Sequence, residues 1–130
     1  MAYDKVVMKW DSDFKGELFS PTGTAKLGDQ DEGLYPYHLF FGAIGSCFYA
    51  TFLSIALKMR LEFDSAKLEV SGAKINPDSK IIEVVDMKMI IKNPSDEEKI
   101  KKAAELGTKY CSIHELVSRS AKVNLIVEFQ

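Results

Sequence analysis

The chain has 130 residues, 46% hydrophobic and 28% charged, with 17 basic and 19 acidic side chains and a formal net charge of −2. That is the length of one domain, so residues 1–130 are expected to form a single folded unit, and the balance excludes a disordered or fibrous chain. With no basic excess, a nucleic-acid partner is not expected.

Near the N-terminus Val6, Met8 and Trp10 alternate with Lys5, Val7 and Lys9, which predicts a half-buried strand. Two shorter strands are expected at 17–20 and 24–27, reversed by Pro21, Thr22 and Gly23. A polar loop over 28–33 leads to Pro36, which suits the first turn of a long helix predicted over 36–59. Within it residues 39–57, LFFGAIGSCFYATFLSIAL, run nineteen positions without a charge. A run of that length can cross a bilayer. Against a span stand Gly42, Gly45, Ser46, Cys47, Thr51 and Ser54 and the lack of a basic cluster on one flank, and the run starts too far from Met1 for a secretory signal. The expectation is a cytoplasmic protein with no membrane partner. A helix apolar all round must be covered on every side, and one small sheet covers one face. A second copy is therefore expected on the other face, making an obligate homodimer.

Further on, Leu68, Val70 and Gly72 alternate with Lys67, Glu69 and Ser71, and the turn at Asn76, Pro77 and Asp78 leads into a strand run over 81–92, predicting an antiparallel hairpin. Val85, Met87, Met89 and Ile91 share one face of the second strand. Ser95 and Glu98 have the spacing of a capping box opening an amphipathic helix with Ile100, Ala103 and Ala104, and Gly107 is the expected stop. A second box, Ser112 with Glu115, predicts a short helix over 113–119, before a last strand carrying Val123, Leu125, Val127 and Phe129. The order β-β-β-α-β-β-α-α-β is α+β.

The two cysteines, Cys47 and Cys111, lie in a chain without a secretory signal, so a structural disulfide is not the default, and a lone cysteine is most simply a small buried hydrophobe. His114 alone stands at chelating distance from Cys111, short of a tetrahedral set, so neither a metal nor another cofactor is expected.

The segment Tyr35-Pro36-Tyr37-His38-Leu39-Phe40-Phe41-Gly42-Ala43-Ile44-Gly45-Ser46-Cys47 resembles the central-helix motif of the OsmC/Ohr family of osmotically induced proteins and organic hydroperoxide reductases. Lys109-Tyr110-Cys111-Ser112-Ile113-His114 is similar to the region of that family's second cysteine, and the order of strands between agrees. The resemblance implies an N-terminal β-meander, a long central helix, an antiparallel sheet with two further helices, and an intertwined homodimer. It also implies a thiol-dependent peroxidase that defends against oxidative stress by reducing organic hydroperoxides. In that pattern Cys47 attacks, Cys111 resolves, and a small or protein dithiol restores the pair. The dipole of the helix after Cys111 is expected to favour the Cys111 thiolate. Phe40, Phe48 and Phe52 are either the lining of an alkyl pocket or plain core.

The family pattern carries an arginine before the long helix and a glutamate ten residues ahead of the attacking cysteine. Here the latter position is Tyr37, and no arginine precedes Arg60. Lys15 and Lys26 lie in the right part of the chain but lack the two-pronged geometry of guanidinium. The candidate auxiliary groups are His38, Tyr37, His114 and Glu32, with a capping role as the alternative for either histidine. The alternative to a peroxidase is a non-catalytic, ligand-binding or redox-sensing homodimer of the same fold.

Overall fold

The computed structural model describes residues 2–130, which divide into two compact units meeting within one helix at Phe40 and Phe41. In the first unit the period-two segments form a three-stranded meander: β1 (Val7–Trp10), β2 (Lys15–Phe19) and β3 (Thr24–Gly28), each antiparallel to the next. Ser20 Oγ accepts the main-chain N–H of Gly23 at 3.0 Å, which closes the predicted turn between β2 and β3. Gly28 ends β3 at φ +82°, where a Cβ would lie 2.0 Å from the Phe14 carbonyl oxygen, so only glycine fits.

The long helix α1 (Pro36–Lys58) follows. Its buried residues, Ile44, Gly45, Phe48, Phe52 and Ala56, make one stripe at helical spacing. The opposite side exposes Gly42, Ser46, Ala50, Ser54 and Leu57. Within the chain, then, one face of this helix is covered. Arg60 ends it in the left-handed region at φ 58°, with Arg60 N donating to Leu57 O and Leu61 N to Ala56 O, the paired bonds of a Schellman motif.

In the second unit β4 (Ser65–Ala73) pairs antiparallel with β5 (Val84–Lys92), as the alternation predicts. Val85, Met87, Met89 and Ile91 of β5 are all buried. α1 rests on that face: a Cβ at Gly45 would lie 3.1 Å from Leu68 and 3.2 Å from Val70. On the solvent face Lys88 reaches Glu69 at 3.8 Å and Glu128 at 3.7 Å.

Helices α2 (Glu97–Tyr110) and α3 (Ser112–Ser118) precede β6 (Lys122–Phe129). β6 lies parallel to β5, so the sheet is mixed rather than antiparallel throughout. A parallel partner needs a crossover, and α2 and α3 provide it. Asp96, not Ser95, caps α2 by accepting Lys99 N at 3.0 Å. Ser95 instead exchanges hydrogen bonds with the main chain of Glu62. Gly107 does not stop α2, which continues to Tyr110. A Cβ at Gly107 would lie 3.1 Å from Phe48 Cε1 and 3.3 Å from Phe52 Cβ, so this glycine serves the packing of α2 on α1.

Candidate functional site

Cys47 sits midway along α1, and Cys111 is the single residue between α2 and α3. Cys111 closes the first of these helices, donating its N–H to Gly107 O at 3.1 Å. It also opens the second: with extended backbone (φ −76°, ψ 117°) its Sγ accepts His114 N at 3.4 Å, the place sequence reasoning gave to Ser112. This double cap fixes the side chain, which is 1% exposed and directs its thiol at Cys47. The two sulfurs are 2.8 Å apart. Cys47 is only partly covered.

Burial pushes the Cys47 thiol up, but hydrogen bonds from Cys111 Sγ, from the main chain of Ile113 and from Ser112 outweigh it, so the net displacement is downward. Cys111 moves the other way: burial raises it, its hydrogen bond to Cys47 raises it further, and the main chain of His114 and Ile113 offsets only part. Of the two sulfurs, Cys47 is thus the one whose ionisation its surroundings favour. The main chain at the start of α3 does favour a Cys111 thiolate, as expected, but burial and the adjoining Cys47 outweigh it. The same turn also acts on the sulfur of Cys47, through Ser112 and Ile113. Ser112 and Ile113 escaped sequence reasoning as contributors, since their only signal was adjacency to Cys111.

Of the other candidates, His114 lines a cavity of about 400 Å³ with Lys101, Glu105 and Thr108 over Val123 and Leu125. Its link to Cys111 is through the main chain, and burial holds its imidazole below the ordinary histidine value, against a smaller opposing pull from Glu115. Phe48 and Phe52 are fully buried and stack on each other with centroids 6.2 Å apart, so they are core and line no solvent-open pocket. Phe40 is half-buried, edge-on to Tyr37 at 5.9 Å.

In the first unit His38 Nδ1 accepts the N–H of Tyr35 at 3.0 Å, and the two rings meet edge to face. Tyr35 is the residue before α1 and His38 the third within it, so the imidazole does for this helix what glutamate does in a capping box. The helix begins ahead of His38, which leaves His38 and Cys47 on opposite sides of it by helical pitch. Tyr37 is 50% exposed. Glu32 pairs with Lys26 at 3.8 Å and is itself in the left-handed region at φ 61°. One contact had no sequence signal: the Tyr35 hydroxyl donates to Asp29 Oδ1, and the carboxylate pushes the exposed phenol upward. Among the described residues, no group of three or more His, Cys, Asp or Glu side chains converges to hold a metal ion.

The sequence pattern of the OsmC-like protein family matches residues 28–126, which starts at the last residue of β3 and takes in the cysteine pair and most of β6. The chain belongs to the OsmC-like protein family. No curated protein matches it. Among solved structures, the chain is similar to a hypothetical protein from Aquifex aeolicus VF5, with a TM-score of 0.84, 26% identity, and 100% of this chain and 99% of that one covered. It is also similar to an OsmC-like protein from Mycoplasma pneumoniae, at 0.84 and 18%, with 98% and 97% covered. A third is the organic hydroperoxide resistance protein OhrB of Bacillus subtilis, at 0.67 and 19%, with 99% and 98% covered. Both latter identities are low enough that the likeness concerns the OsmC-like fold. Among the described residues one helix, α1, is long and apolar enough to cross a membrane, and its inner stripe is core.

Proposed function

We propose that the chain is a thiol-dependent peroxidase that reduces organic hydroperoxides through Cys47 and Cys111, as a cytoplasmic homodimer with each 130-residue chain a single domain. The observation that carries this is the 2.8 Å separation of the two sulfurs, of which Cys47 is the more accessible. The Cys47 thiolate attacks the terminal peroxide oxygen and breaks the O–O bond, giving a sulfenic acid and an alkoxide that leaves as the alcohol. Cys111 then attacks the Cys47 sulfur and expels hydroxide, which leaves as water. An external dithiol supplies two electrons to reopen the disulfide. The sulfurs need to close by less than about 1 Å to reach bonding distance. The outer face of α1, lined by Gly42, Ser46, Ala50 and Leu57, supports the dimer, since small residues let a second chain approach closely.

The test is consumption of cumene hydroperoxide with a dithiol as reductant. Wild type should turn over, and Cys47→Ser should not; equal rates would overturn the reading. Sedimentation of the same protein checks the dimer. A second reading, a ligand-binding or redox-sensing homodimer without turnover, is favoured by the engagement of the candidate helpers elsewhere: His38 caps α1 and Glu32 pairs with Lys26. In that case one equivalent of peroxide oxidises the pair once and the dithiol does not sustain turnover.

A further inference from the structure

We propose that the reducing thiol enters at Cys47 and never at Cys111, so that one sulfur meets both external reactants and the other stays inside the fold. This rests on the disulfide step of the peroxidase reading and adds the atom at which its reductant bonds. A disulfide offers two sulfurs, and an incoming thiolate attacks one of them in line with the S–S bond, expelling the other. Which sulfur is taken depends on which has an open approach. Here the two differ: Cys111 is 1% exposed, whereas Cys47 is only partly covered.

The difference is built into the fold around Cys111. It is the single residue between α2 and α3, its N–H donates to Gly107 O at 3.1 Å, and its Sγ has Cys47 Sγ at 2.8 Å and His114 N at 3.4 Å. An external thiol reaches that sulfur only by displacing the helix ends that close over it, which is a local unfolding step. Attack at Cys47 needs no such step. The reductant's thiolate bonds to Cys47 Sγ, the Cys47–Cys111 bond breaks, and Cys111 leaves as a thiolate. The second thiol of the reductant, as its thiolate, then attacks the reductant's own sulfur in the mixed disulfide, which frees the Cys47 thiolate and closes the reductant's disulfide. Two electrons pass from the dithiol to the pair. The two protons the dithiol sheds go to solvent, from which the released cysteines reprotonate. Through the whole cycle Cys111 bonds to no sulfur but that of Cys47.

The experiment uses the intact wild-type protein, oxidised by diamide rather than by peroxide, with glutathione as a monothiol probe that stops at the mixed disulfide. Samples are quenched in acid at the earliest times, the remaining thiols are blocked with N-ethylmaleimide, and the peptides are read by mass spectrometry. Glutathione should appear on Cys47, with the blocking group on Cys111, in about tenfold or greater excess over the reverse, because only the reverse needs a local opening. Glutathione first on Cys111, or equally on both, would overturn the proposal. In concentrated urea both sulfurs are open and the preference should vanish; a preference that survives there owes nothing to burial and also overturns it. Absence of a Cys47–Cys111 bond after diamide overturns it together with the disulfide step of the peroxidase reading. A protein that fails to reduce hydroperoxides can still take glutathione on Cys47 and pass. One that reduces them but takes glutathione on Cys111 fails this proposal alone.

Discussion

Gly107 of α2 faces the Phe48 ring of α1 so closely that the shortest possible side chain would meet it at 3.1 Å. A helix-interior glycine gives up about 1 kcal/mol relative to alanine. The position thus trades local helix stability for close approach of two helices. Phe48 is fully buried and has no free side to move to. Gly107→Val should lower stability in urea unfolding by about 1–3 kcal/mol, the usual cost of overpacking. Wild-type stability in that variant would mean that α2 can lift off α1.

His38 is expected to matter to α1 rather than to the thiol. His38→Ala leaves the N–H of Tyr35 without its partner and should cost about 1 kcal/mol, as other cap losses do. His38→Glu should recover most of it, because a carboxylate at the third helical position accepts the same N–H. Neither change should alter the Cys47 alkylation rate. A tenfold drop in that rate with His38→Ala would place the imidazole in the chemistry instead.

His114 supplies an acid-side slope. Burial depresses its folded-state affinity for a proton below that of an ordinary histidine at 6.5. The unfolded chain therefore binds the proton first as pH falls. The contribution is fully present above 6.5 and is lost as pH falls through the lower, folded value. In urea titrations at successive pH values below 6.5, His114→Gln should show a shallower loss of stability than wild type. Parallel curves would mean that His114 protonates equally in both states.

Arg60 holds the left-handed position of the Schellman motif that ends α1. A side chain in that region costs roughly 1 kcal/mol, and glycine relieves it while adding freedom to the unfolded chain. Arg60→Gly should raise stability by about 0.5–1 kcal/mol in thermal or urea unfolding. A loss would show that the arginine side chain does more for the helix end than its backbone costs.

Strands with one covered face were legible because their side chains alternate; Val85, Met87, Met89 and Ile91 fell on the buried side as the pattern required. The direction of β6 was not, because alternation reads the same in either direction and only the crossover through α2 and α3 decides it. Cap positions slipped by one residue where two competent side chains stand together: Asp96 displaced Ser95, and Cys111 displaced Ser112. Gly107 shows a different limit, since glycine as a helix stop and glycine as a packing notch have the same signature in sequence. At the candidate site both cysteines were visible as residue types. Which of them is the more readily ionised was not, because that depends on donors brought to Cys47 by folding. The phenylalanines lay beyond sequence for a similar reason, since buried rings and pocket rings occupy the same helical spacing.

The parallel course of β6 also bears on how the molecule is made. Cys47 and Cys111 are 64 positions apart, and the strand that completes their sheet follows both of them. During synthesis α1 and the β4–β5 hairpin emerge while Cys111 is still to come, and α2 and α3 emerge before β6 is there to seat them. A chain halted before residue 111 thus carries Cys47 without its partner thiol. The distinct reactivity of the two thiols is a property of the finished fold, so a rapid-labelling reagent selective for Cys47 would also count completed molecules.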